Sequence, residues 1–159
     1  MITVNRRAYL EDTTPEAIFA TLSDPDGIAE LLPRMQRVEL LDRDDLHGTA
    51  RLVTYMGLGG IFGTIRCEGD LTWIEPREIL FKVRSPVALE TRWTLSTAVN
   101  GTSIQAAMSL DLAPMLGPMA AFVPVQQVAE ILGGELDVAL KLIANKMRAA
   151  GLLERAAAA

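Results

Sequence analysis

Histidine and cysteine each occur once, as His47 and Cys67, and that scarcity removes most metal and nucleophile chemistry. A zinc-protease motif, or any site built on two imidazoles, needs a second histidine, and a CxxC pair or disulfide needs a second cysteine. A Ser-His-Asp relay would have to use His47, which sits in Arg43-Asp44-Asp45-Leu46-His47-Gly48. That run reads as a solvated turn between strands. Cys67 falls on the apolar phase of its segment and is expected to be inert. The glycines of Gly57-Leu58-Gly59-Gly60-Ile61-Phe62-Gly63 miss the GxGxxG spacing at Phe62, and alternation rather than a helix follows. The segment is therefore read as a hairpin bordering a cavity mouth, not as a phosphate loop. The remaining acid–base candidates cluster as Arg66, Asp70, Glu90 and Arg92. Alternation places them on a wet face as cross-strand pairs, although a one-residue slip would turn all of them inward. Tyr55 and Trp93 are the other polar-tipped side chains that could reach an interior. No catalytic residue, metal site or cofactor is assigned on this basis, and binding is favoured over catalysis.

The composition narrows the class further. Of 159 residues, 50% are hydrophobic, yet the aromatics number only 2 Trp, 2 Tyr and 4 Phe. The interior must be built from aliphatic side chains and methionine. A chain of this length predicts one domain able to bury roughly 70% of the surface its unfolded form exposes. The net charge of −5, with no basic run beyond Arg6-Arg7, argues against a nucleic-acid surface, which needs clustered cations. No signal peptide is visible, and the apolar stretch from Leu112 to Val125 is broken by Pro114, Pro118 and Pro124. It is also shorter than the roughly 20 residues of a membrane span. The expectation is a soluble, cytoplasmic protein.

Hydrophobic periodicity supplies the elements. Ile2, Val4, Arg6, Ala8 and Leu10 share one phase of a first strand. Thr13-Thr14-Pro15-Glu16 is a helix start, with Ile18, Phe19 and Leu22 as its apolar face. Asp24-Pro25-Asp26 starts a second short helix, faced by Ile28, Leu31 and Leu32 and ended by Pro33. Strands are then expected near 35–43, 48–56, 62–75, 78–84, 87–99 and 102–112. Asn100-Gly101 reads as a two-residue hairpin turn in which both residues take positive φ. On strand 87–99, Leu89, Trp93, Leu95 and Val99 oppose Glu90, Arg92, Thr94 and Ser96. An antiparallel sheet wet on one face needs a cover on the other. Val125, Val128, Ala129, Leu132, Leu136, Leu140, Ile143 and Met147 provide it, as a helical stripe long enough to cross the sheet. Gly133-Gly134 inside that helix marks a bend or a close approach of another backbone. Residues 1–150 are read as one domain and 151–159 as a frayed tail.

A strand, two short helices, six antiparallel strands and a long C-terminal helix form the element order of the helix-grip fold, an α+β architecture. In that order the chain resembles the START-like, or SRPBCC, superfamily, which includes polyketide cyclases and lipid-transfer proteins. The resemblance rests on Pro15-Glu16-Ala17-Ile18-Phe19, Leu22-Ser23-Asp24-Pro25, Leu31-Leu32-Pro33 and Val38-Glu39. Gly69-Asp70-Leu71, Trp93-Thr94-Leu95 and Asn100-Gly101-Thr102-Ser103 extend it. Within the superfamily the chain is most similar to the branch of coenzyme Q-binding proteins and of proteins associated with carbon monoxide dehydrogenase. The resemblance implies a seven-stranded curved sheet wrapped around the C-terminal helix, with a cavity between them for an apolar or polyketide-like ligand.

The expected lining of that cavity is Met56, Ile65, Phe81, Trp93, Leu95, Met108, Leu110, Met115, Met119, Leu136 and Leu140. Methionine is conspicuous, because Met35, Met56, Met108, Met115, Met119 and Met147 all fall on the inner phase, the long helix or the segment joining them. Such residues either fill a core poor in aromatics or line an adaptable pocket. The leading reading is a non-catalytic protein that holds a lipid, isoprenoid quinone or polyketide. The alternative is a cyclase or dehydratase using acid–base residues in the same cavity. Residues 112–124 are either a buried connection or a lid, a homodimer contact or a membrane-surface contact, and the last of these gives a third reading, an accessory factor.

Overall fold

The computed structural model describes residues 1–31, 35–57 and 63–158. Pro33, Leu32 and most of the glycine-rich hairpin lie outside them, as do the side chains of Ile28 and Leu31. The strands are β1 (Ile2–Glu11), β2 (Met35–Asp44), β3 (Thr49–Gly57), β4 (Thr64–Ile74), β5 (Glu78–Ser85), β6 (Ala88–Ala98) and β7 (Gly101–Asp111). They form one seven-stranded antiparallel sheet in the order β1-β7-β6-β5-β4-β3-β2. Helices α1 (Pro15–Leu22) and α2 (Pro25–Leu31) follow β1. A four-residue helix, α3 (Ala113–Leu116), a 3₁₀ helix (Gly117–Phe122) and the long α4 (Val125–Ala158) follow β7. This is the helix-grip architecture that the periodicity implied.

Local chemistry accounts for the starts. The Thr14 side chain accepts a hydrogen bond from the Ala17 amide and Pro15 opens α1, so proline's missing donor falls where none is needed. Asp24 accepts from the Asp26 amide at the start of α2. Ile18, Phe19 and Leu22 of α1 are buried against the sheet end formed by β5 and β6.

Helix α4 contains 34 residues, hence roughly 51 Å of helix against about 36 Å for the longest strands. It therefore overhangs the sheet. It is continuous to Ala158, through the alanine-rich stretch expected to fray, because Ala, Leu, Arg and Glu are all strong helix formers. Rather than crossing the whole sheet, its backbone lies closest to β1 and β7. Leu132, Leu136, Ala139, Leu140 and Ile143 are its buried stripe, and the Lys146–Glu30 ion pair at 2.9 Å ties it to α2.

Two glycines behave differently from the sequence expectation. In the β6–β7 turn only Asn100 has positive φ, at 59°. Ala98 pairs with Gly101, so the loop is Val99-Asn100, and Val99 is 84% exposed rather than inward. Gly101 is needed for space instead, since a Cβ there would lie 2.2 Å from the Leu10 carbonyl oxygen on β1. In α4, Gly133 is approached by a side chain rather than a backbone. The Arg6 guanidinium lies where its Cβ would project, 2.2 Å away, while Arg6 Nε donates to Asp137 at 2.9 Å.

These contacts predict opposite outcomes for the same substitution. Gly101→Ala collides with fixed backbone and should destabilise by at least about 2 kcal/mol. Gly133→Ala gains about 1 kcal/mol of helix propensity and displaces only the tip of a flexible arginine in a part-exposed pair, so it should be neutral within roughly 0.5 kcal/mol. Urea denaturation of the two variants tests both.

Candidate functional site

The inner phase of the strands is predominantly apolar, with Arg6, Arg43, Thr54 and Thr91 as polar exceptions. Leu52, Thr54 and Met56 of β3 face the same way as Ile65, Cys67 and Leu71 of β4, Ile79, Phe81 and Val83 of β5, Leu89 to Leu95 of β6, and Ile104 to Leu110 of β7. Curling of the sheet makes this the concave face, opposite the stripe of α4. Burial along it is graded. At the end covered by α1, Leu52, Leu71, Leu95 and Ile104 are at most 2% exposed. At the other end Met56, Ile65, Leu89 and Leu110 are only partly buried. The face is thus sealed at one end and open at the other, where the β3–β4, β5–β6 and β7–α4 connections emerge.

The sequence-derived lining residues divide accordingly. Phe81, Trp93, Leu95, Met108, Leu136 and Leu140 are buried in the common core, and Met56, Ile65 and Leu110 pack on it from the open end. Met115 and Met119 do not join them, being 50% and 61% exposed. Pro114, Gly117 and Pro118 break this segment into α3 and a six-residue 3₁₀ helix, too short to turn a side-chain row inward. The expectation of a buried connection fails for the same reason, since Phe122 is 80% exposed and no residue of either helix is buried.

The acid–base candidates face away from this site. Arg92 meets Glu78 at 2.7 Å and Glu90 at 3.5 Å, Arg66 meets Glu68 at 3.0 Å, and Asp70 meets Arg84 at 3.2 Å. All lie on the convex face, so the register carries no slip. Tyr55 is also convex, with the Arg37 guanidinium 5.5 Å from its ring. His47 is in the exposed β2–β3 turn, where its Nδ1 lies 2.6 Å from Asp44 and holds that carboxyl below its usual range through the hydrogen bond.

Separate surface clefts exist. One of about 680 Å³ lies where α4 overhangs the sheet, between Tyr9–Thr13 and Ala144–Leu152. Glu11, Asp12 and Arg148 make its rim polar, and it contains none of the residues expected to line a ligand cavity.

Inward polar groups to which the sequence assigns no role include Arg6, Thr54 and Thr91, the last on the inner phase of β6 and 3% exposed. Arg6 stands on the apolar phase of β1, and with Gly133 in α4 the pair marks a contact whose halves lie far apart in sequence. Thr54 stands on the apolar phase of β3 between Leu52 and Met56, and is 1% exposed. Its cross-strand partner is Cys67. Burial pushes the Cys67 thiol up, an effect that the neighbouring Thr54 hydroxyl partly opposes.

A family model described as polyketide cyclase / dehydrase and lipid transport matches residues 1–148. No curated protein matches the chain. Among solved structures, the di-domain ARO/CYC StfQ from the steffimycin biosynthetic pathway superposes with a TM-score of 0.69 at 14% identity. The match covers 94% of this chain but 52% of StfQ, so the chain spans about half of that di-domain protein. A START superfamily protein from Mycobacterium smegmatis gives 0.68 at 16% identity, over 92% of this chain and 97% of its own. The Zhui aromatase/cyclase from Streptomyces sp. R1128 gives 0.64 at 15%, over 94% and 97%. These likenesses establish a shared fold.

The burial of Cys67 has a measurable consequence. The native thiol should react with a disulfide reagent at pH 7.5 at least about 100-fold more slowly than the unfolded chain. Because the unfolded thiol ionises first as pH rises, wild-type stability should also fall relative to Cys67→Ala above about pH 8.5. Denaturation curves at pH 7 and 9.5 would reveal it, and parallel curves would contradict the assignment.

Proposed function

The chain belongs to the polyketide cyclase/dehydrase and lipid-transport family, and we propose that this member holds a small apolar ligand between its concave face and α4 without transforming it. A lipid, an isoprenoid quinone or a polyketide-like molecule fits such a surface. The observation that carries this reading is the graded burial of one continuous apolar face, sealed under α1 and part-exposed at Met56, Ile65, Leu89 and Leu110. Exposed apolar area of this kind is costly unless something covers it. The outward ion pairs of Arg66, Asp70, Glu90 and Arg92 favour binding over the acid–base alternative, which needs ionisable groups converging on the cavity.

In this reading Met56, Ile65 and Leu110 form the rim, with Phe81, Trp93, Leu95, Met108, Leu136 and Leu140 as the deeper wall. Met108 and Met56 supply adaptable contacts, which suits a site for a flexible apolar guest. Native mass spectrometry of protein purified without organic solvent should show a retained adduct that solvent extraction removes. Ile65→Trp should block the rim and weaken binding of the dye Nile red about tenfold, with the melting temperature changed by no more than a few degrees. A bare apo mass together with no dye binding by the wild type would overturn the proposal.

The β7–α4 connection supports a second element of the proposal, a lipid surface as the place of loading. From Leu112 to Ala129 no side chain is charged. Met115, Met119, Phe122 and Val125 are each at least half exposed, and they lie at the open end of the concave face. Phosphatidylcholine vesicles should co-sediment the wild type and release a Met119→Asp, Phe122→Asp double variant. Equal sedimentation of both would remove the lipid surface, and a dimer in sedimentation velocity that the same substitutions dissolve would assign the segment to a second copy.

A further inference from the structure

Resting on the binding reading above, we infer that Thr54 is the hydrogen-bonding anchor of the concave site, and that its ligand is an uncharged apolar molecule bearing a carbonyl or hydroxyl oxygen.

Thr54 Oγ1 is fully buried and has no hydrogen-bond partner among the described residues. Buried hydroxyls in folded proteins are nearly always paired, as the fully buried Thr102 is, donating to the Thr13 carbonyl at 3.0 Å. Thr54 lies beside Cys67 and opposite Val38, and a thiol is at most a weak partner. The position is informative. Along β3, Thr54 is two residues in from Met56 at the open end, about 7 Å deeper. Beyond it lies Leu52, in the sealed part of the face. A ligand passing the rim therefore meets Thr54 as a polar group at middle depth, with apolar walls before and after it. A hydroxyl both donates and accepts, so it serves either a carbonyl or a hydroxyl oxygen.

Charge excludes the other oxygen functions. A carboxylate or phosphate brought to this depth would need a compensating cation. Among the described residues, Arg43 of β2 stands on the inner phase at the sealed end, 5.1 Å from the Trp73 ring and paired with Asp45, and the other inner-phase cation is Arg6. It belongs to β1, at the opposite edge of the sheet order from β3, and is paired with Asp137. The site therefore favours neutral oxygen over an ionised acid.

The test compares three probes of one shape by equilibrium dialysis: 2-acetylnaphthalene, 2-ethylnaphthalene and 2-naphthoate. The wild type should prefer the ketone to the hydrocarbon and bind the carboxylate most weakly. Thr54→Val, close in shape but without the hydroxyl, should lose about tenfold in ketone affinity while hydrocarbon affinity stays within about twofold. Thr54→Ser should restore the preference. The melting temperature of Thr54→Val without ligand should be equal or higher, because the substitution removes an unpaired buried hydroxyl. An unchanged ketone preference in Thr54→Val would overturn the anchor and leave the binding reading standing, as would a markedly lower melting temperature, which would show the hydroxyl already paired in the empty protein. Carboxylate binding equal to the ketone's would overturn the neutral-ligand assignment. Failure of the wild type to bind any of the three would overturn the binding reading itself.

Discussion

One helix cannot cover seven strands. At about 4.8 Å per strand the sheet is roughly 29 Å wide, whereas a helix with its side chains is about 10–12 Å across. The apolar face must therefore curl toward α4, and the curl decides the rest of the architecture. Where α4 lies on β1 and β7 the contact is close enough for Arg6 to occupy the space over Gly133. Toward β3–β5 the backbones diverge and the interval is spanned by side chains such as Leu136, Leu140, Phe81 and Trp93. Helix α1 closes one end of that interval with Ile18, Phe19 and Leu22. At the other end the inward residues stay part-exposed. A part-open apolar face follows from the mismatch between the width of the sheet and that of its cover.

The same geometry explains what could be read from the sequence. Strand phase is a local property with a period of two, so the wet face with Arg66, Asp70, Glu90 and Arg92 was legible from alternation alone, and the strand ends agree to within about two residues. The hairpin between β6 and β7 was legible as a turn but misplaced by one residue. Gly101 is demanded by the Leu10 carbonyl on a strand at the far end of the chain, and no local pattern carries that. The segment after Leu112 leaves a buried connection and a surface contact both open in the sequence, because its composition is that of a core. Its prolines and glycines prevent any periodic face from forming, so apolar residues end on the surface. Thr54 and Arg6 were hidden differently, since each is one polar residue in an apolar phase, which pattern reading treats as noise.

Those two exceptions differ in their physics. Arg6 carries its own compensation, a carboxylate at 2.9 Å and partial exposure to water, so its place on the inner phase costs little. The ion pairs on the convex face are likewise exposed and individually worth at most about 1 kcal/mol. Their consistent side, rather than their strength, is what bears on function, because it leaves the concave face uncharged around β3–β5. A fold shared by carriers and enzymes does not decide between those roles. The distribution of ionisable groups within this member does bear on it, and the cluster of Arg66, Asp70, Glu90 and Arg92 stands on the convex face.

Thr54 has no such compensation beyond its weak contact with the Cys67 thiol, and an unpaired buried hydroxyl costs stability. Valine would fit the same β-branched space on β3 and satisfy the apolar phase without penalty. The hydroxyl lies next to a thiol whose ionisation burial opposes, and between an open rim and a sealed floor, so on the proposed reading its partner would arrive from the rim. On the same reading, a hydroxyl at a fixed depth in a wall that includes Phe81, Trp93 and Met108 would orient a guest, and the Thr91 hydroxyl of β6 stands on the same face.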